Sequence, residues 1–382
     1  MKISRAALML ALLAFCMLAD PNAVPARAQQ PKGPRPPEQP DMSIDAAARR
    51  EVLDTLAKRL DEAYVFPDVA AKMEQALRSH EAEYAQITSA RQFAERLTAD
   101  LQAVSHDKHL RVRYSHEPIP ARPEGQREPS AEEREQFRRE MARINYGFTK
   151  VERLPGNIGY VEFKGFLDPE GGADTVASVF NFLGNTDAII FDLRENGGGD
   201  PAMVALICSY LFGPEPVHLN DLHWRDGKGE RVDEFWTRKE VAGRRYTGKD
   251  VYVLTSNYTF SGAEEFTNNL KALKRATIVG ETTGGGANPG GGNRLSEHFG
   301  AFIPTGRAVN PITKTNWEGT GVEPDVKVPA DQALHIAQLA ALKKAADASK
   351  DENIKGGILQ RIDELQKELN DMQSKQAAST QK

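Results

Sequence analysis

With 382 residues, 40% of them hydrophobic, and a net charge of −5, the chain can bury one large core or two smaller ones. It lacks the basic excess of a nucleic-acid-binding domain, so no nucleic-acid partner is expected. Its two cysteines, Cys16 and Cys208, are too few for a disulfide scaffold.

The N-terminus reads as a secretory signal peptide over residues 1–28. It has a short basic start, an apolar run over 6–19 that is too short to span a bilayer, and a small-residue cleavage site at Ala26-Arg27-Ala28. Phe15 stands before Cys16 where a lipoprotein signal needs a small side chain, which disfavours lipid attachment. Cleavage after Ala28 would leave Cys208 as the single thiol, in a chain that is periplasmic or extracellular and not stably inserted in a membrane. Residues 29–42, with their prolines, read as a solvated tether.

Helical periodicity begins near Ser43, with Val52, Leu53, Leu56 and Leu60 on one stripe. Pro67 and Asp68 open a second helix, and the capping pattern of residues 89–92 opens a third, with Phe93, Leu97 and Leu101 inward. Residues 43–104 are therefore expected to form a small three-helix N-terminal domain. From His109 the pattern alternates as a strand. Residues 117–143 are rich first in proline and then in charge, and read as an insertion ending in a solvated helix over 131–143.

From Tyr146 strands and helices alternate: strands at 158–163, 188–193, 251–254 and 277–280, helices at 173–183, 201–212, 263–273 and 332–346. This predicts a layered α/β core over residues 105–346 with much parallel pairing. Residues 214–249 show no clear period. In the charged tail, 347–382, Ile358, Ile362, Leu365, Leu369 and Met372 form a stripe too short to specify a coiled coil; a helix lying on the core is the alternative.

Residues 251–262, VYVLTSNYTFSG, place Ser261 between a buried strand and the first turn of a helix. Unpaired N–H groups and the helix dipole there suit a developing oxyanion, although this segment by itself reads first as a serine helix cap. The DLRENGGG run closing the nearly all-apolar strand offers either a second oxyanion arm or a tight βα turn; no Gly-Lys-Ser/Thr follows, so it is not a nucleotide P-loop. Glu318 lies between Trp317 and glycines, a setting suited to orienting a histidine.

Taken together, TFSGAEEFTNNLKAL, ATIVGETTGGGANPGG, NPITKTNWEGTGVEPDV, DLRENGGG and SHDKHL resemble the tail-specific (carboxyl-terminal processing) serine peptidase family, in its tricorn-core and interphotoreceptor retinoid-binding protein branch. The resemblance runs over residues 45–345. It implies an α/β fold with a crotonase/ClpP-like β-α-β core and cleavage of polypeptide substrates without a cofactor or metal. It also implies Ser261 as nucleophile, His109 as base, Glu318 orienting the histidine, and Gly262 with Gly198 as the oxyanion hole, Gly197 being the nearest rival. Gly284 and Gly285 become candidate substrate contacts. His106 is the rival base, and a His106/His109 metal pair lacks a third ligand. Glu323 and His298 read as structural. The run 280–286 carries no lysine, so the Ser-Lys mechanism of bacterial relatives is not expected, and residues 116–146 are too few for a PDZ module. Retinoid-binding relatives keep open a second reading, a non-catalytic hydrophobic-ligand module.

Overall fold

The protein is described here by a computed structural model covering residues 39–121, 130–226 and 229–380. The expected signal peptide and most of the tether lie outside the described residues. Helix α1 (Ala46–Ala63) starts where Asp45 accepts the Ala48 N–H at 2.8 Å, and it buries Val52, Leu56 and Leu60 along one stripe. Helix α2 (Pro67–Ser79) opens on a proline, in the turn where no N–H is needed. A single turn, α3 (Glu81–Tyr84), follows, and then α4 (Ala90–Ser105) begins where the Ser89 hydroxyl accepts the Gln92 N–H.

After strand β1 (Arg111–Tyr114) comes α5 (Ala131–Arg143), which has a Ser130/Glu133 capping box and buries no residue. Next are β2 (Phe148–Leu154), β3 (Ile158–Phe163), α6 (Ala173–Leu183), β4 (Ala188–Asp192) and α7 (Pro201–Leu211). A hairpin of β5 (His218–Asp226) and β6 (Gly229–Trp236) precedes β7 (Asp250–Thr255), α8 (Gly262–Ala272) and β8 (Thr277–Gly280). Strands β9 (Gly290–Arg294), β10 (Phe299–Pro304), β11 (Gly306–Val309) and β12 (Val326–Lys327) lead to α9 (Ala333–Ala348) and α10 (Glu352–Thr380).

The central sheet has the order β12-β8-β7-β4-β3-β2, parallel throughout except for the antiparallel edge strand β2. Every residue of β4 is buried, as expected of a strand covered on both faces. Helices α6, α7 and α8 cover one face; α9 covers the other, and Ile358, Leu365 and Leu369 of α10 join it. The C-terminal stripe thus lies on the core, as its second reading had it.

The helical N-terminal region does not close its own core. Leu295, Phe299, Ala301 and Ile303, from far down the chain, pack among its helices, carried by a second sheet of order β1-β10-β9. A group of short amphipathic helices this small buries too little apolar surface alone, and a borrowed sheet face supplies the rest. The hairpin in residues 214–249 was hidden in the sequence because β6 buries no residue fully and the β5 register shifts between His218 and Asn220, so no clear two-residue period survives.

Candidate active site

Ser261 stands at the turn from β7 into α8 with φ 55° and ψ −123°. A capping serine is normally extended, and a positive φ at a non-glycine residue costs about 1–3 kcal/mol. The strain is held by ties to the turn after β4. The Thr259 hydroxyl donates to Leu193 O at 2.8 Å, the Phe260 N–H to Asn196 O at 3.2 Å, and the Ser256 hydroxyl to Arg194 O at 2.5 Å. That turn is itself fixed by the buried Asp192 carboxylate, which pairs with Arg194 at 2.5 Å and accepts the Tyr160 hydroxyl at 2.7 Å.

The glycines of the turn press directly on the serine. A Cβ on Gly198, whose φ is 98°, would lie 2.7 Å from Ser261 Cβ and 2.6 Å from Gly262 N, so only glycine fits there. The Gly198 N–H donates to Asn196 Oδ1 at 2.9 Å, and the Gly197 N–H to Lys164 O at 3.3 Å. Among the described residues the Gly262 N–H has no acceptor, and Gly199 N sits 2.9 Å from where a Gly262 Cβ would be.

Glu264, one turn into α8, anchors the glycine-rich loop to this elbow. Its buried carboxylate accepts the Ser261 N–H at 2.9 Å, the Thr283 hydroxyl at 2.5 Å, and the N–H groups of Gly285 at 2.6 Å and Gly286 at 2.8 Å. The loop is also zipped to the segment carrying Glu318. Buried Trp317 donates Nε1–H to Gly286 O at 2.8 Å, and the Gly319 N–H donates to Gly285 O at 3.1 Å. The Gly284 N–H is taken by Thr259 O, and the Gly284 carbonyl accepts from Lys108 Nζ.

His109 follows a tight turn after α4, which ends on exposed His106 in the left-handed conformation. Asp107, buried to 1% exposure, shapes that turn. It accepts the His109 N–H and the Asn288 Nδ2–H at 2.9 Å each, and the Tyr64 hydroxyl at 3.3 Å. The His109 ring lies against Phe260, the neighbour of Ser261, at 4.6 Å between centroids, and against Phe302 at 5.8 Å. Glu318 Oε2 accepts the Ala287 N–H, and one polar atom each of Asp107, His109 and Glu318 falls within 4.8 Å of the others. His109 Nδ1 and Glu318 Oε1 are both buried without a hydrogen-bond partner. Among the described residues no hydrogen bond joins Ser261 to His109 or His109 to Glu318, although catalytic hydrogen bonds are often long before substrate binds. Both Asp107 oxygens already accept hydrogen bonds.

Burial pushes the His109 imidazole down to about 4, with the Arg111 charge adding to the effect. Burial also pushes the Glu318 carboxyl up to about 7; the Asp107 charge adds to this and the Ala287 N–H opposes it. At neutral pH the ring is therefore a free base. The remaining sequence candidates sit apart. Glu323 is exposed, and His298 Nδ1 pairs with Ser115 O at 3.0 Å. Sequence reasoning missed Asp107, Glu264 and Asn196 as organisers; the Asp-x-His spacing was the available signal for the first, and Asn196 and Glu264 had none beyond adjacency to the glycines and the serine.

The architecture is a mixed α/β fold with an N-terminal helical region. Residues 157–328 match the model of peptidase family S41, and residues 46–146 match that of the N-terminal domain of peptidase S41 in eukaryotic IRBP. The chain belongs to the tail-specific (S41) serine peptidase family. It is 27% identical over 198 residues to the chloroplastic carboxyl-terminal-processing peptidase 2 of Arabidopsis thaliana, a match covering 50% of this chain and 37% of that protein, so it aligns with little more than a third of that curated relative. Among solved structures, a candidate peptidase of Parabacteroides merdae superposes with a TM-score of 0.52 at 19% identity, over 80% of this chain and 98% of that one. A lipoprotein of Streptococcus agalactiae does so at 0.50 and 16% identity, over 77% and 96%. Mature CPAF gives 0.50 at 12% identity, over 80% and 99%.

Proposed function

We propose that this protein is an exported serine peptidase that cleaves polypeptides by acyl transfer, on a core of the crotonase/ClpP kind. Ser261 Oγ attacks the scissile carbonyl while His109 takes its proton. The C–N bond then breaks as His109 returns that proton to the leaving amine, and water releases the acyl group by the same route in reverse. Glu318 orients the ring and offsets the imidazolium charge. Gly262 N–H and Gly198 N–H receive the oxyanion, the latter exchanging Asn196 Oδ1 for it, and Gly197, Gly284 and Gly285 border the peptide.

The observation that carries this reading is the strained Ser261 backbone, which a capping serine would not need. The unpaired polar atoms of His109 and Glu318 support it, because both are buried in one cluster with Asp107 and have hydrogen-bonding capacity left to share. Export rests on the leader-like N-terminal sequence. The test is labelling by a serine-reactive phosphonate together with hydrolysis of an unstructured polypeptide. The wild-type chain should show both and Ser261→Ala neither; undiminished labelling of the variant would sink the assignment.

A further inference from the structure

The sheet β1-β10-β9 packs one face, with Val112, Phe299, Ala301 and Ile303, onto the N-terminal helices. Its other face looks outward. Directly paired residues in antiparallel strands share a face, so Arg111, Phe302 and Gly292 form one outward row, and Arg113, Gly300 and Arg294 the next. All three arginines are exposed. Arg113 and Arg294 lie two strand spacings or about 10 Å apart on either side of Gly300, where the Ile119 side chain fills the space and an added Cβ would meet it at 3.4 Å. The Phe302 row adjoins the catalytic region, since that ring stacks against His109.

None of these arginines forms an ion pair among the described residues. Arg111 Nε donates to Lys108 O at 2.8 Å and Arg294 Nε to Ile119 O at 2.9 Å, both neutral carbonyls that leave the guanidinium charge uncompensated. Three unpaired cations side by side repel one another, in a chain whose net charge is −5. An anionic ligand removes that repulsion.

We propose that this arginine-bearing face docks an acidic segment of the substrate polypeptide and leads it toward Ser261. An extended peptide presents alternate side chains on one side about 6.8 Å apart, the same spacing as Arg111 and Arg113 on their own strand. Among the described residues strand β9 is a sheet edge paired with β10 alone, so its other side offers main-chain hydrogen bonds alongside the charges. A peptide is favoured over a nucleic acid because the face carries one aromatic ring, Phe302, and that ring is covered by His109, leaving no platform for stacked bases.

The proposal rests on the peptidase reading, and its test separates the two. The full chain bearing Ser261→Ala, which does not consume ligand, is titrated with fluorescent extended peptides that are identical except that alternate residues are Glu, Gln or Lys. At about 0.01 M salt, where charges act over about 30 Å, the Glu peptide should bind about tenfold more tightly than the Gln peptide, and the advantage should vanish near 1 M. Arg113→Glu should abolish the preference and Arg113→Gln should weaken it, and both should fold, because among the described residues the Arg113 side chain makes no hydrogen bond; Arg138→Glu on exposed α5 should leave the preference intact. Equal affinity for the Glu and Gln peptides would overturn the proposal. So would an unchanged preference in Arg113→Glu, or tighter binding of a single-stranded DNA of equal charge. If the Glu preference holds while the wild-type chain cleaves nothing, the peptidase reading fails and the docking site stands; if both peptides are cleaved with equal kcat/KM, the reverse follows.

Discussion

Glu264→Gln probes the tie between the Ser261 backbone and the glycine-rich loop with almost no change in shape. In the wild-type chain each carboxylate oxygen serves two donors: Oε1 takes the Thr283 hydroxyl and the Gly285 N–H, Oε2 the Ser261 and Gly286 N–H groups. An amide keeps one such oxygen and turns an NH2 toward the other pair of donors. Two charge-assisted bonds, at about 1.5–3 kcal/mol each, are lost, and the relief of burying a charge returns part of that. A net loss of about 3 kcal/mol in unfolding free energy is expected, read from urea denaturation. The loop also holds Gly286 against the site, where an added Cβ would come within 2.7 Å of His109 Cε1. Phosphonate labelling of Ser261 should therefore slow by about tenfold or more, since loop displacement misplaces both base and serine. A loss below about 1 kcal/mol with unchanged labelling would refute the reasoning, and would mean that the Trp317 and Gly319 hydrogen bonds hold the loop unaided.

The pH dependence should follow Glu318. With His109 held near 4 the ring is already neutral above about pH 5, so kcat/KM should rise as the Glu318 carboxyl, held near 7, loses its proton and gains the charge that stabilises an imidazolium. Glu318→Gln should lower the rate and erase that limb; a wild-type profile flat between about pH 6 and 8 would count against it. Glu265, on the core side of α8, should register in stability instead. Burial, with the Asp200 charge adding, raises its carboxyl from 4.5 to about 8. A carboxyl whose pKa is raised on folding stabilises fully below its unfolded value, and that stabilisation is lost as pH rises through the folded one, here up to roughly 5 kcal/mol. Glu265→Gln should thus raise the Tm at about pH 9 and leave it little changed near pH 4; an equal shift at both would show that the carboxyl is not the cause.

Much of this was legible in the chain itself. The nearly all-apolar run of β4, the cap at Ser89, the stripe Val52-Leu56-Leu60 and the strand-turn-helix around Ser261 are local patterns, set by backbone periodicity and by which groups a helix end leaves unpaired. The ordered motifs carrying Ser261, His109 and Glu318 were enough to place the chain in its family. The positive φ of Ser261 was not legible, because it is imposed by hydrogen bonds to a turn more than 60 residues earlier. Nor was the sharing of the N-terminal core with β10, or the outward row of arginines, since both depend on the register between β1 and strands far along the chain. Periodicity along a chain specifies which face of an element is buried. What that face meets, and how far an imidazole or carboxyl is taken from water, depends on which distant segments pack against it, so the site's strain, its proton affinities and its charge were decided by the tertiary structure.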